Sequence, residues 1–67
     1  MTPRTQLRSY RERNNLTTRD LADMCGLSHT TIARYLAGED ISLASIRAIS
    51  IVRQFRISMR SMLEEVK

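Results

Sequence analysis

A chain of 67 residues has room for one small domain, and with 42% apolar residues it sits near the lower size at which an apolar core alone sustains a fold. Eleven basic side chains, all but one of them arginine, stand against seven acids for a net charge of +4, which suits a polyanionic partner. One cysteine and one histidine exclude an internal disulfide and a metal cluster, and three aromatics are too few for a single-strand stacking platform.

Thr2 followed by Pro3 reads as a cap with proline at the first helical position, and Leu7 and Tyr10 carry an inward face to about Arg13. Arg4, Arg8, Arg11, Arg13 and Arg19 face only Glu12 across the first nineteen residues, a distribution suited to a helix lying along a phosphate backbone. Each of these arginines also has the plainer reading of a solvated surface charge. Asn14 and Asn15 end the helix, and Leu16 tucks beneath it.

Thr17 and Asp20 have capping-box spacing and start a second helix. Leu21, Ala22 and Cys25 share its inner face, whereas Arg19, Asp20 and Asp23 stay wet. Ala22 is small where two helices cross. Cys25 is read as a core residue and not as a redox or metal group. Gly26 supplies the left-handed helix end, Leu27 plugs the corner, and Ser28 caps a third helix. Ile32, Tyr35 and Leu36 form the apolar stripe of that helix, while His29, Thr30, Ala33 and Arg34 occupy its other face. The stretch from about residue 17 to 37 is thus a helix-turn-helix within a single domain spanning residues 1–67. Tyr10 and Tyr35, each on an apolar face, read as core or rim residues.

Ser42 is expected to cap a fourth helix bearing Leu43, Ile46, Ile49, Ile51, Val52 and Phe55, the core helix of the domain. Ser58 caps a final helix of about two turns, with Met59, Met62, Leu63 and Val66 on one apolar side. That side either packs on the core helix or forms half of a two-fold interface. The predicted fold is therefore all-α, compact and five-helical. No catalytic set is visible, since the acid pairs Asp20 with Asp23 and Glu64 with Glu65 read as cap and solvated surface.

The order of five helices, the run Leu16-Thr17-Thr18-Arg19-Asp20-Leu21-Ala22 and the Gly26, Ser28, Thr31, Ile32 spacing resemble the lambda-repressor and Cro-like helix-turn-helix family over nearly the whole chain. Leu21, Ala22, Gly26 and Ile32 form the scaffold of that signature. A second similarity, to the headpiece of Lac-type repressors, runs from Asp20 to Arg34, and the full helix before Thr17 favours the first family. The resemblance implies a transcriptional regulator, a repressor by expectation, that binds a palindromic double-stranded DNA operator as a homodimer with its third helix in the major groove.

Carried onto this chain, the resemblance makes Ser28, His29, Thr30, Thr31 and Arg34 candidates for base readout, and Arg11, Thr18 and Arg19 candidates for phosphate contact. Arg34 alternatively meets a phosphate, Thr31 alternatively only supports the cap, and His29 alternatively is a plain surface residue. The Met59, Met62, Leu63 and Val66 face is the candidate dimer interface. The chain departs from the family pattern in having Thr18 where glutamine is common and Arg56 where glycine commonly follows the fourth helix, which itself reads about two residues longer. No cofactor, metal, membrane or small-molecule ligand is expected, and a cytoplasmic location in a bacterial cell or phage-infected host is implied. The competing reading is a protein-interaction module, antirepressor or antitoxin-like, on the same fold.

Overall fold

The computed structural model describes residues 2–65, which form five α-helices and one 3-10 turn. Helix α1 spans Pro3–Arg13, α2 Thr18–Cys25, α3 His29–Leu36, α4 Leu43–Ser50 and α5 Met59–Glu65, with the 3-10 turn at Arg53–Phe55. Each α-helix starts on a hydroxyl side chain. Thr2, Thr17, Ser28, Ser42 and Ser58 accept from the amides of Thr5, Asp20, Thr31, Ser45 and Ser61 respectively, satisfying donors that a helix start leaves open.

The first three helices also end alike. The Leu16 amide donates to the Arg11 carbonyl and the Asn15 amide to Glu12; Leu27 donates to Ala22 and Gly26 to Asp23; Glu39 donates to Arg34 and Gly38 to Tyr35. This nested pair of bonds requires a left-handed residue after each helix, supplied by Asn15, Gly26 and Gly38 at φ of 54°, 72° and 102°. A β-carbon on Gly26 would meet no atom within 4 Å, so the glycine is demanded by the backbone and not by space.

The core comprises Leu7 of α1, Leu21 and Ala22 of α2, Ile32, Tyr35 and Leu36 of α3, Ile46 and Ile49 of α4, and Phe55, Ile57 and Met62 near the end of the chain. Tyr10 closes one side, its ring edge-on to Phe55 with centroids 5.1 Å apart. Helix α3 packs on α2 and α1, and α4 packs on α5 and the 3-10 turn. No helix among the described residues is long and apolar enough to cross a membrane.

Two expectations are corrected. The fourth helix ends at Ser50 instead of running on towards Phe55, because Val52 turns to extended backbone and the 3-10 turn swings Phe55 into the core. The last turn is closed on the Arg47 carbonyl, which accepts from both the Ser50 hydroxyl and the Ile51 amide. An apolar period of three also drifts by roughly 60° per step around a 3.6-residue helix, so Leu43 and Val52 cannot share one face. Accordingly Ile46 and Ile49 are buried, whereas Leu43 is 60% and Ile51 70% exposed. The second correction concerns α5: Met62 is 1% exposed and belongs to the core, Met59 packs partly against it, and Leu63, 45% exposed, faces outward. Met62 therefore has no surface to offer an interface, and Val66 lies outside the described residues.

Candidate nucleic-acid interface

The start of α2 is held by a complete capping box. The Thr17 amide donates to Asp20 Oδ2 at 2.8 Å while Thr17 Oγ1 accepts from the Asp20 amide at 3.1 Å. The bond from the Thr17 amide and, after it, the Thr17 hydroxyl beside the carboxyl hold Asp20 below its ordinary pKa. Thr18 is half-buried and Arg19 exposed at the same helix start.

The start of α3 is built on neutral groups. Ser28 Oγ accepts from the Thr31 amide at 3.2 Å and lies 2.9 Å from Thr31 Oγ1, so the two hydroxyls share a hydrogen bond within the cap. Thr31 is half-buried, whereas Ser28, His29, Thr30, Ala33 and Arg34 are exposed. The opposite face carries Ile32, Tyr35 and Leu36, all buried. Four of the five candidate readout residues thus share an open surface, and Thr31 joins them at its edge.

A cleft of about 240 Å3 joins the outer face of α3 to the start of α4 and is lined by Thr31, Arg34, Asp40, Ile41, Ser42 and Ser45. Sequence reasoning placed Ser42 only as a cap and did not single out Ser45. The repeated serine spacing of 42 and 45, matching 58 and 61, is the signal that marks such starts, and Ser42 Oγ lies 3.0 Å from Ser45 Oγ.

The arginines of α1 divide into two kinds. Arg4 donates from Nε to the Tyr35 carbonyl at 2.8 Å and from Nη2 to the Glu39 carbonyl at 2.9 Å, and Nη1 stands 3.3 Å from Glu65 Oε2. Its guanidinium lies 4.7 Å from the centre of the Tyr35 ring, and Asp40 is within 3.5 Å. Arg8 donates to the Leu36 carbonyl. Both side chains therefore close the C-terminal end of α3, where the last carbonyls carry partial negative charge, and the expected basic stripe along α1 loses two of its members. The Tyr35 hydroxyl completes the clasp by donating to Glu65 at 2.9 Å. Burial, then the bond and charge of Glu65, push the Tyr35 phenol far above its usual pKa, only partly opposed by Arg4.

Arg11 differs. Its side chain is half-buried, and its Nε is shielded from solvent without any acceptor among the described residues. Cys25 is half-buried with its thiol pushed up to about 11 by desolvation, so at neutral pH it stays a protonated, poorly nucleophilic group. No cluster of three His, Cys, Asp or Glu side chains able to hold a metal occurs among the described residues.

No curated protein and no solved structure matches the chain significantly. Residues 7–60, from the middle of α1 into α5, match the helix-turn-helix family model, and the chain belongs to this lambda-repressor-like family of DNA-binding regulators.

Proposed function

We propose that the chain is a repressor that binds a palindromic operator in double-stranded DNA as a homodimer, inserting the start of α3 into the major groove. The observation that carries this reading is the two-sidedness of α3. Its inner face is wholly buried, and its outer face presents His29, Thr30 and Arg34 beside the Ser28 cap. Arg34 has the reach and the fork to pair with a guanine, while Thr30 and Thr31 can meet a base edge or a thymine methyl. His29 donates or accepts according to its tautomer.

Phosphate contacts fall to Arg11, Thr18 and Arg19. Arg11 is half-buried on α1 and stands in no ion pair among the described residues, which leaves its charge uncompensated for a phosphate oxygen at the domain surface. Leu63, with Met59 beside it, is the remaining apolar surface on α5 for a second copy. Selection of bound sequences from random duplex DNA tests the whole reading. The expected product is an inverted repeat with half-sites about one helical turn apart. Recovery of no preferred sequence from a folded protein would remove it.

A further inference from the structure

Arg56 sits at a φ of 55°, in the left-handed region, directly after the 3-10 turn. Asparagine tolerates that region through its short polar side chain, as Asn15 does here, but arginine has no such ease, and glycine would relieve the strain outright. The corner is nonetheless fixed. Gln6 Nε2 donates to the carbonyl of Phe55 at 3.0 Å and to that of Arg56 at 2.7 Å, tying it to α1. A strained residue held in place by its surroundings points to a use for its side chain.

The use is suggested by what lies around it. Arg56 and Arg13 line one cleft of about 400 Å3 between α1 and the 3-10 turn, together with the carboxamides of Asn14 and Gln54 and the ring of Tyr10 packed on Phe55. No carboxylate is among the lining residues, and among the described residues neither arginine is in an ion pair. Arg13 spends only Nε, on the Ser9 carbonyl at 3.4 Å, which leaves its two terminal nitrogens available. Asn14 Nδ2 donates to the Tyr10 carbonyl at 2.9 Å and keeps one N–H; with the terminal nitrogens of Arg13, the Arg56 fork, the Gln54 amide and an aromatic floor it makes a donor-rich recess with no acceptor of matching charge, in the size range of small-ligand sites.

We propose that this cleft is a phosphate-binding site, distinct from the readout face of α3, that takes an oxyanion between Arg13 and Arg56. The phosphate comes either from a small phosphorylated molecule or from a DNA backbone. The cleft shares no residue with the readout set, and it stands whether or not α3 reads an operator.

The test is a titration of the 15N-labelled chain with inorganic phosphate, ionic strength being held constant with chloride, and a parallel titration with a random-sequence duplex. Saturable shifts are expected at the side-chain nitrogens of Arg13, Arg56, Gln54 and Asn14, with inorganic phosphate binding on the order of millimolar. R56G removes one fork and relaxes the backbone, so it should melt no lower than the parent while binding about tenfold more weakly, and R13Q should do the same to binding. Saturation by inorganic phosphate assigns the site to a free ligand. Saturation by the duplex alone, weakened by R56G, assigns it to the DNA backbone. Shifts that saturate with neither probe, or that survive both substitutions, overturn the proposal.

Discussion

The two ends of α3 are treated in opposite ways. At the C-terminal end Arg4, Arg8 and the Glu39 amide between them take up the carbonyls of Arg34, Tyr35 and Leu36, and Glu65 ties the Tyr35 hydroxyl to α5. At the N-terminal end Ser28 caps the helix with Thr31 bonded to it, and His29, Thr30 and Arg34 are left exposed on the outer face. One end is anchored to residues from the beginning and the end of the described chain, Arg4 and Glu65, so that the other end can present its side chains without having to hold the fold together. The difference teaches where a small domain without a buried polar network can spend its arginines. Those that lock a helix end are lost to the ligand, and those that meet the ligand contribute little to stability.

Breaking the anchored end should have the largest effect. R4A leaves the Glu65 carboxylate half-buried and the Tyr35 and Glu39 carbonyls short of a donor, and should lower unfolding stability by about 2–4 kcal/mol, since loss of one partner strands the others. R4K should rescue only part, because an ammonium cannot serve three acceptors in one plane. Urea denaturation measures both. A loss below half a kilocalorie for R4A would show that the clasp is ornamental. The crossing of α2 with α3 is the companion case. Ala22 is 2% exposed, and A22L should cost about 1–3 kcal/mol by overpacking, read as a lower melting temperature.

Acting on the open end should invert the pattern. R34A is expected to leave the melting temperature within a degree or two, Arg34 being exposed and unpaired to any acid among the described residues, while weakening operator binding by about 1–3 kcal/mol. If the loss is confined to one base position, Arg34 reads a base. An equal loss on every duplex assigns it to phosphate, and a stability loss as large as that of R4A would abolish the contrast between the ends.

Most helix starts and ends were legible because their chemistry is local. Thr17 with Asp20, Ser28, Ser42 and Ser58 announce caps within three residues, and Gly26 announces a left-handed end by residue type alone. The candidate readout face was legible for the same reason, since the 32, 35, 36 stripe leaves 29, 30 and 34 outside. What escaped depends on distant partners. Arg4 meets Tyr35 and Glu65, 31 and 61 residues away, and in sequence it is indistinguishable from a phosphate-binding arginine. Ile51 and Phe55 look equally apolar, yet only the turn at Val52 decides that one is exposed and the other buried. Met62 and Leu63 are adjacent, and which of them faces inward follows from how α5 docks. Arg56 was visible as a departure from the family's glycine, but its residue type hides the positive φ it adopts.

The two helix starts of the motif give the finest comparison. At the third position of α2 stands Asp20, a carboxylate that closes its capping box; at the same position of α3 stands Thr31, a neutral hydroxyl. A carboxylate at the start of α3 would favour the helix dipole but repel an approaching phosphate, whereas α2 carries its acid in a box turned back on its own backbone. The Asp20 pKa is lowered in the folded protein from an ordinary value of 3.8, so the stability it supplies is present above that value and is lost as pH falls through the lower folded one. D20N keeps an acceptor for the Thr17 amide and removes the charge. It should therefore melt slightly below the parent at neutral pH, with the gap closing in acid as the parent's carboxyl takes up its proton. T31E should do the reverse at α3, keeping or raising the melting temperature while weakening binding to every duplex. A D20N gap that persists unchanged at pH 2 would mean that geometry, and not charge, holds the start of α2, and the distinction between a charged and a neutral helix start would lose its basis.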